Sequence, residues 1–202
     1  MGRPTFDVMA SANEGDEQAM VHRQHDDSRI VVLHGEVNEQ SIASVIAHLF
    51  YLAGQNHKPI HLTLSTYGGS VDEMFTLYDA IKFLPCPIHT VALGKVMSAG
   101  VLLLASGVKG HRLIGQSARI MIHPSSAGHF GNIFEVEAEV KEHKRLESLM
   151  ISALMRETKM TRKDVARIMK VGHNYYITPK EAISLGIVDR IIGGEADAAE
   201  SV

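Results

Sequence analysis

Short β-branched runs and longer amphipathic stretches take turns along this chain. Arg29 to Leu33 is an apolar run closed by His34 and Gly35, and it reads as a buried strand. Asn38 to Ser41 then introduces a helix whose apolar positions Ile42, Val45, Ile46, Leu49 and Phe50 share one face. After a loop from Gly54 to Pro59, Ile60 to Leu64 is a second strand, and Ser65 to Ser70 reads as a sharp glycine-rich turn. A helix from Val71 to Phe83 follows, stopped by Pro85 and Pro87, and Ile88 to Leu93 is a third strand. Gly94 to Met97 reads as a turn into a helix that begins at Ser98 and runs to Ala105. Arg112 to Ile114 and Ala118 to Ile122 are further strands, with a glycine-containing connection from His123 to Gly131. The longest helical pattern spans Asn132 to Thr158, and another covers Arg162 to Met169. Thr178, Pro179 and Glu181 suit the N-cap, first and third positions of a last helix, and Ile187 to Ile192 closes as a strand.

This alternation argues for right-handed crossovers and a largely parallel sheet in one α/β domain over 28–192, without internal repeat or linker. Residues 1–27 read as a flexible polar arm, and Gly193 to Val202 as a disordered acidic tail.

Composition narrows the classes further. The 202 residues are 45% hydrophobic and 21% charged, which suits one domain with a sizeable core. A formal net charge of -3 gives no electrostatic ground for a nucleic-acid partner. Cys86 is the one cysteine, which excludes a disulfide framework and points to a reducing, cytoplasmic setting. No stretch approaches the roughly 18 consecutive apolar residues of a membrane span, and no signal peptide is visible. The 12 histidines are scattered, without His-Glu-x-x-His or Cys/His clustering, so no metal site is expected.

Three features could carry chemistry, and each has a plainer reading. Gly68 and Gly69 let the chain turn tightly, or they expose backbone N–H groups that bind an oxyanion. Ser98, among Gly94, Ala99 and Gly100, is either a helix N-cap or an accessible nucleophile at a helix start. The surroundings are not Gly-x-Ser-x-Gly, so the lipase-type elbow is not the model. His123, between an apolar strand and Pro124, is a solvated strand end or a general base.

Taken together these segments resemble the Clp-type serine peptidase family. Leu64 to Asp72, with Leu77 to Ile81, is similar to the family's N-S-P-G-G-S-V … I-Y-D-T-M signature. Gly94 to Ser106 resembles its G-x-A-A-S-M-G-A-F-L-L-A-A block, and Ser117 to His123 its S-R-V-M-I-H block. Glu181-Ala182 with Leu185 to Asp189 matches its E-A-x-x-Y-G-L-V-D ending. The likeness runs in order over about 29–192. It implies a fold shared with the crotonases, built of repeated β-β-α and βαβ units with a protruding handle helix, here 132–158.

The resemblance also implies roles. Ser98 is the nucleophile, His123 its base, and the N–H groups of Gly69 and Ala99 the oxyanion hole. Gly68, with Ser125, Ser126, Ala127 and Gly128 of the segment 124–131, falls where the family pairs with an extended substrate strand. Heptameric rings stacked into a tetradecamer would enclose a chamber admitting only unfolded chains or peptides, fed by a Clp-family AAA+ unfoldase. The chain has no Walker motif, so no bound cofactor is expected and ATP would act only through that partner.

Two departures matter. Counting back from Glu181, Asn174 stands where the family usually has the triad aspartate, and His173-Asn174 replaces its Arg-Asp pair. An asparagine can orient an imidazole but lends no charge; in a chymotrypsin-type triad Asp→Asn costs roughly 10⁴ in turnover. The open outcomes are a weakened Ser-His-Asn site, a third member supplied by another carboxylate such as Asp164 or Asp189, or a site assembled in a mixed ring. Met20 to Ser28 also lacks the aromatics that the family carries before its first strand, where it docks unfoldases. The competing readings are a catalytically impaired ring subunit and a crotonase-type acyl-CoA enzyme; the Ser98/His123 pairing argues against the latter.

Overall fold

The apolar runs of the first half become parallel strands because each is joined to the next by an amphipathic helix that must cross back over the sheet. The computed structural model describes residues 28–126, 128, 130–170 and 172–193. The expected arm, the tail beyond Gly193, and Ala127 lie outside the described residues. In order, the elements are β1 (Ile30–Val37), α1 (Glu39–Gln55), β2 (Ile60–Gly69), α2 (Val71–Phe83), β3 (Ile88–Met97) and α3 (Ala99–Ala105). They continue as β4 (Arg112–Ile114), β5 (Arg119–Ile122), α4 (Ile133–Glu157), α5 (Arg162–Lys170), β6 (Tyr175–Ile177), α6 (Pro179–Ser184) and β7 (Arg190–Ile191).

The sheet order is β1-β2-β3-β4-β7, every neighbouring pair parallel. β3 changes partner along its length: Thr90 to Ala92 pair with β4, whereas Lys95 to Met97 pair with β5. Gly94 lies at the switch with φ +66°, a conformation costly for any residue with a Cβ. β6 adds to the free side of β5, antiparallel. This sheet, with α4 as a 25-residue handle-like helix, is the α/β architecture that the resemblance implied.

Three sequence expectations need correction. Ser65 to Ser70 is not a turn, because β2 stays extended to Gly69, paired with β1 out to Val37. Gly94 to Met97 is likewise strand, since β5 offers it a second ladder after β4 ends. The closing strand is only Arg190–Ile191; Ile187 and Val188 are buried beside α6, whose Ala182 carbonyl takes their N–H groups. β6 was not foreseen.

The core lies between sheet and helices: Leu33, Leu62 and Leu64 from the strands, Ile42, Leu49 and Leu52 from α1, and Met74 and Leu77 from α2, all fully buried. α3 is buried along all its residues, as expected of a helix apolar all round. Capping boxes at Asn38, Asn132 and Thr178 fix the starts of α1, α4 and α6. Among the described residues no helix is long and apolar enough to cross a membrane.

Candidate active site

Three strands, β2, β3 and β5, deliver their carboxyl ends to one place, the side of a parallel sheet where crevices form. β3 ends at Met97 and the chain turns at once into α3. The turn residue is Ser98, at φ 53° and ψ −123°. A non-glycine residue there is strained by the order of 1–3 kcal/mol. Its N–H donates to Met121 O at 2.8 Å, and its carbonyl accepts from Val101 N–H at 3.0 Å, so both neighbours hold the strained residue.

The side chain does not act as a cap. Ser98 makes no side-chain capping bond to α3. Its Oγ instead lies 2.9 Å from His123 Nε2, the ring carried just past the end of β5. The pair is partly buried. β3 and β5 run side by side up to Met97 and Met121, and this register sets the Ser–His spacing.

Gly68 packs against the same turn. A Cβ built on it would stand 2.6 Å from Ser98 Cβ, 2.9 Å from Met97 O and 3.1 Å from Ala99 N. Its own N–H is engaged by Thr66 Oγ1 at 2.9 Å. A Cβ on Gly69 would come within 2.2 Å of Val37 O, so β1 is the reason for the second glycine. Gly68 thus borders Ser98 and the Ala99 N–H, with Gly69 next to it in the chain against Val37. Fully buried Thr66, which the sequence reading passed over, supports both sides: its Oγ1 holds Gly68 and its Cγ2 faces Gly100.

Asn174 lies immediately before β6, on the far side of β5, and is exposed. Its backbone carbonyl interacts with His173 Nδ1 at 3.0 Å. Among the described residues no hydrogen bond joins Asn174 to His123. The two acids considered as substitutes are occupied elsewhere. Asp164 accepts from the Thr161 hydroxyl at 2.6 Å and caps α5. Asp189 is paired with Arg112, Oδ1 to Nη2, at 2.6 Å.

A small cavity of about 30 Å³ adjoins the pair, and its lining includes Ser98, His123, Val71, Leu102, Ile122 and Leu154. Its walls are mostly apolar. Ser125, expected on the substrate segment, holds a contact that the sequence did not reveal: its Oγ lies 2.9 Å from His143 Nε2 and donates to Glu147 Oε1 at 3.1 Å. His143 and Glu147 sit four residues apart on α4, and this spacing was the one available signal. Ser126 and Gly128 are exposed beyond Ser125. No cluster of three or more metal-ligating side chains occurs among the described residues.

A hydrogen-bonded serine and histidine at the carboxyl edge of a parallel sheet, beside a paired glycine and an apolar pocket, is the arrangement of an acyl-transfer hydrolase. Residues 13–195 match the model of the Clp protease family, and the chain belongs to that family as a serine peptidase, a peptide hydrolase. Among curated relatives, the "ATP-dependent Clp protease proteolytic subunit" of Deinococcus radiodurans is 29% identical over 186 residues, covering 92% of this chain and 90% of that protein.

Proposed function

We propose that the chain is a serine endopeptidase in which Ser98 is the nucleophile and His123 the general base, acting on unfolded proteins and peptides inside a ring complex. The observation that carries this is the 2.9 Å contact between His123 Nε2 and the Oγ of a serine held at φ 53°. With Nε2 unprotonated, it accepts the Ser98 hydroxyl proton as Oγ bonds to the scissile carbonyl carbon. The N–H groups of Gly69 and Ala99 stabilise the resulting oxyanion. His123 returns the proton to the leaving amine, and water then releases the acyl group by the same route. Asn174 is assigned as the orienting third member on the family resemblance alone; it is exposed, and among the described residues no hydrogen bond joins it to His123.

The family supports rings working with Clp ATPases. Exposed apolar side chains at the start of α4, Ile133 at 64% and Phe134 at 78%, support that helix as the ring-stacking surface, a heptamer pair being the assembly proposed. ATP then enters only through the partner unfoldase, and the peptidase itself needs no cofactor. The exposed Asn174 favours a second reading, a ring subunit of low intrinsic activity beside an active paralogue.

Hydrolysis of a short fluorogenic peptide, with fluorophosphonate labelling in parallel, tests this. Ser98→Ala is expected to abolish labelling and lower turnover at least about 10³-fold, and Asn174→Asp to raise turnover about tenfold or more. Unchanged hydrolysis in Ser98→Ala would sink the assignment. Absence of labelling in assembled wild-type rings would favour the impaired-subunit reading.

A further inference from the structure

A second cavity, of about 240 Å³, adjoins the apolar one, and Val71, Ser125 and Met150 line both. Its chemistry is different. The ionisable groups among its described lining residues are Asp72, Glu147 and His143, and neither lysine nor arginine lines it. Asp72 stands in the first turn of α2, and Glu147 and His143 project from α4.

The Glu147 carboxylate is held. A serine hydroxyl has one proton, and Ser125 gives it to Glu147 Oε1 at 3.1 Å; His143 Nε2, 2.9 Å away, must then carry the proton it donates to Ser125 Oγ. This directed chain ties the carboxylate to the segment that begins at His123, only two residues from the base. A carboxylate fixed in this way loses less freedom on meeting a cation than a loose surface acid would.

We infer that this cavity is a specificity subsite that takes a basic side chain of the peptide, while the neighbouring cavity takes an apolar one. The inference rests on the peptidase reading for its substrate. An extended peptide presents alternate side chains to one face, so adjoining cavities on one wall receive residues two positions apart. The preferred segment therefore carries an apolar residue at one position and lysine or arginine two residues away. Asp72 and Glu147 supply the selectivity, and Ser125 with His143 positions Glu147.

Binding tests this apart from catalysis. Fluorescein-labelled hexapeptides, with Lys, norleucine or Glu placed in turn at each position around a fixed Leu, are titrated by anisotropy into full-length Ser98→Ala protein. At one position Lys is expected to bind about tenfold more tightly than norleucine, the size of two partly screened charge pairs. Glu147→Gln with Asp72→Asn should bring that ratio to about one, and Glu147→Lys should invert it toward Glu, each variant showing an unaltered circular dichroism spectrum. A ratio unmoved by Glu147→Lys, no Lys preference at any position, or no binding at all would overturn the subsite. The same peptides offered to the Ser98 protein separate the two ideas: a Lys preference in binding without cleavage sinks the peptidase reading and leaves the subsite standing.

Discussion

At the scale of single residues, the site depends on atoms that are missing as much as on those present. Gly68 has φ +97°, and its absent Cβ is what lets β2 approach Ser98, Met97 and Ala99. Gly68→Ala adds backbone strain and a 2.6 Å clash with Ser98 Cβ. The expected cost is about 2 kcal/mol in stability, read from denaturant unfolding, with fluorophosphonate labelling slowed more than about 100-fold. Native stability with native labelling would show that the turn relaxes freely and that the close packing has no catalytic consequence. The importance of the two glycines was legible in the sequence; the reason was not. Gly69 is required by Val37 of β1, a residue 32 positions away in the chain, and such a contact leaves no local trace.

Among the elements, β1 to β3 and the long α4 were readable because hydrophobic period and capping residues agree with their final packing. Their ends were not. The second ladder that extends β3 comes from β5, and β6 forms only because β5 has an open edge to pair with. Arg112 shows the same dependence on distant partners. Its side chain, 4% exposed, donates from Nε to Asp189 Oδ2 at 2.9 Å and from Nη1 to Glu157 O at 2.8 Å, joining β4 to the last turn of α4 and the approach to β7. Burial pushes the Asp189 carboxyl up, but the Arg112 side chain and the Arg112 and Gly110 backbone N–H groups outweigh it and hold the carboxyl below its usual range. Because the folded value is the lower one, this pair stabilises above the ordinary carboxylate pKa of about 3.9 and is lost as pH falls through the folded value. Arg112→Met should cost about 3–5 kcal/mol in urea unfolding at neutral pH, since a partly buried carboxylate is left unpaired. Arg112→Met with Asp189→Leu should recover part of it. A loss under about 1 kcal/mol in the single variant would mean that water replaces the guanidinium.

Across the whole molecule, the two ends of the sheet do different things. The carboxyl ends of the strands hold Ser98 and His123, whereas the amino ends carry a row of histidines. His61 and His89 are register partners on β2 and β3, and His111 precedes β4 in the same row. The His89 and His111 rings stack at 4.1 Å with 5° between planes, and His61 meets His89 edge-on at 5.2 Å. Burial first, then the neighbouring imidazoles, lower the pKa of both His61 and His89. Lys58 and Arg29 line the adjoining cavity, and among the described residues no carboxylate-bearing one lines it to offset a new positive charge. The unfolded chain, with imidazoles near about 6.5, therefore binds protons at a pH where the folded row does not. Its proton count exceeds that of the folded state, so stability rises with pH there and falls as pH drops through about 6.5. Thermal unfolding from pH 7.5 to 5.5 should show a falling midpoint, and His89→Gln should flatten that fall, because it removes one of the two rings whose pKa is lowered. An identical slope in His89→Gln would assign the acid sensitivity to other groups. The row is remote from the Ser–His pair in the fold, so the substitution should leave the pH profile of peptide hydrolysis where it was.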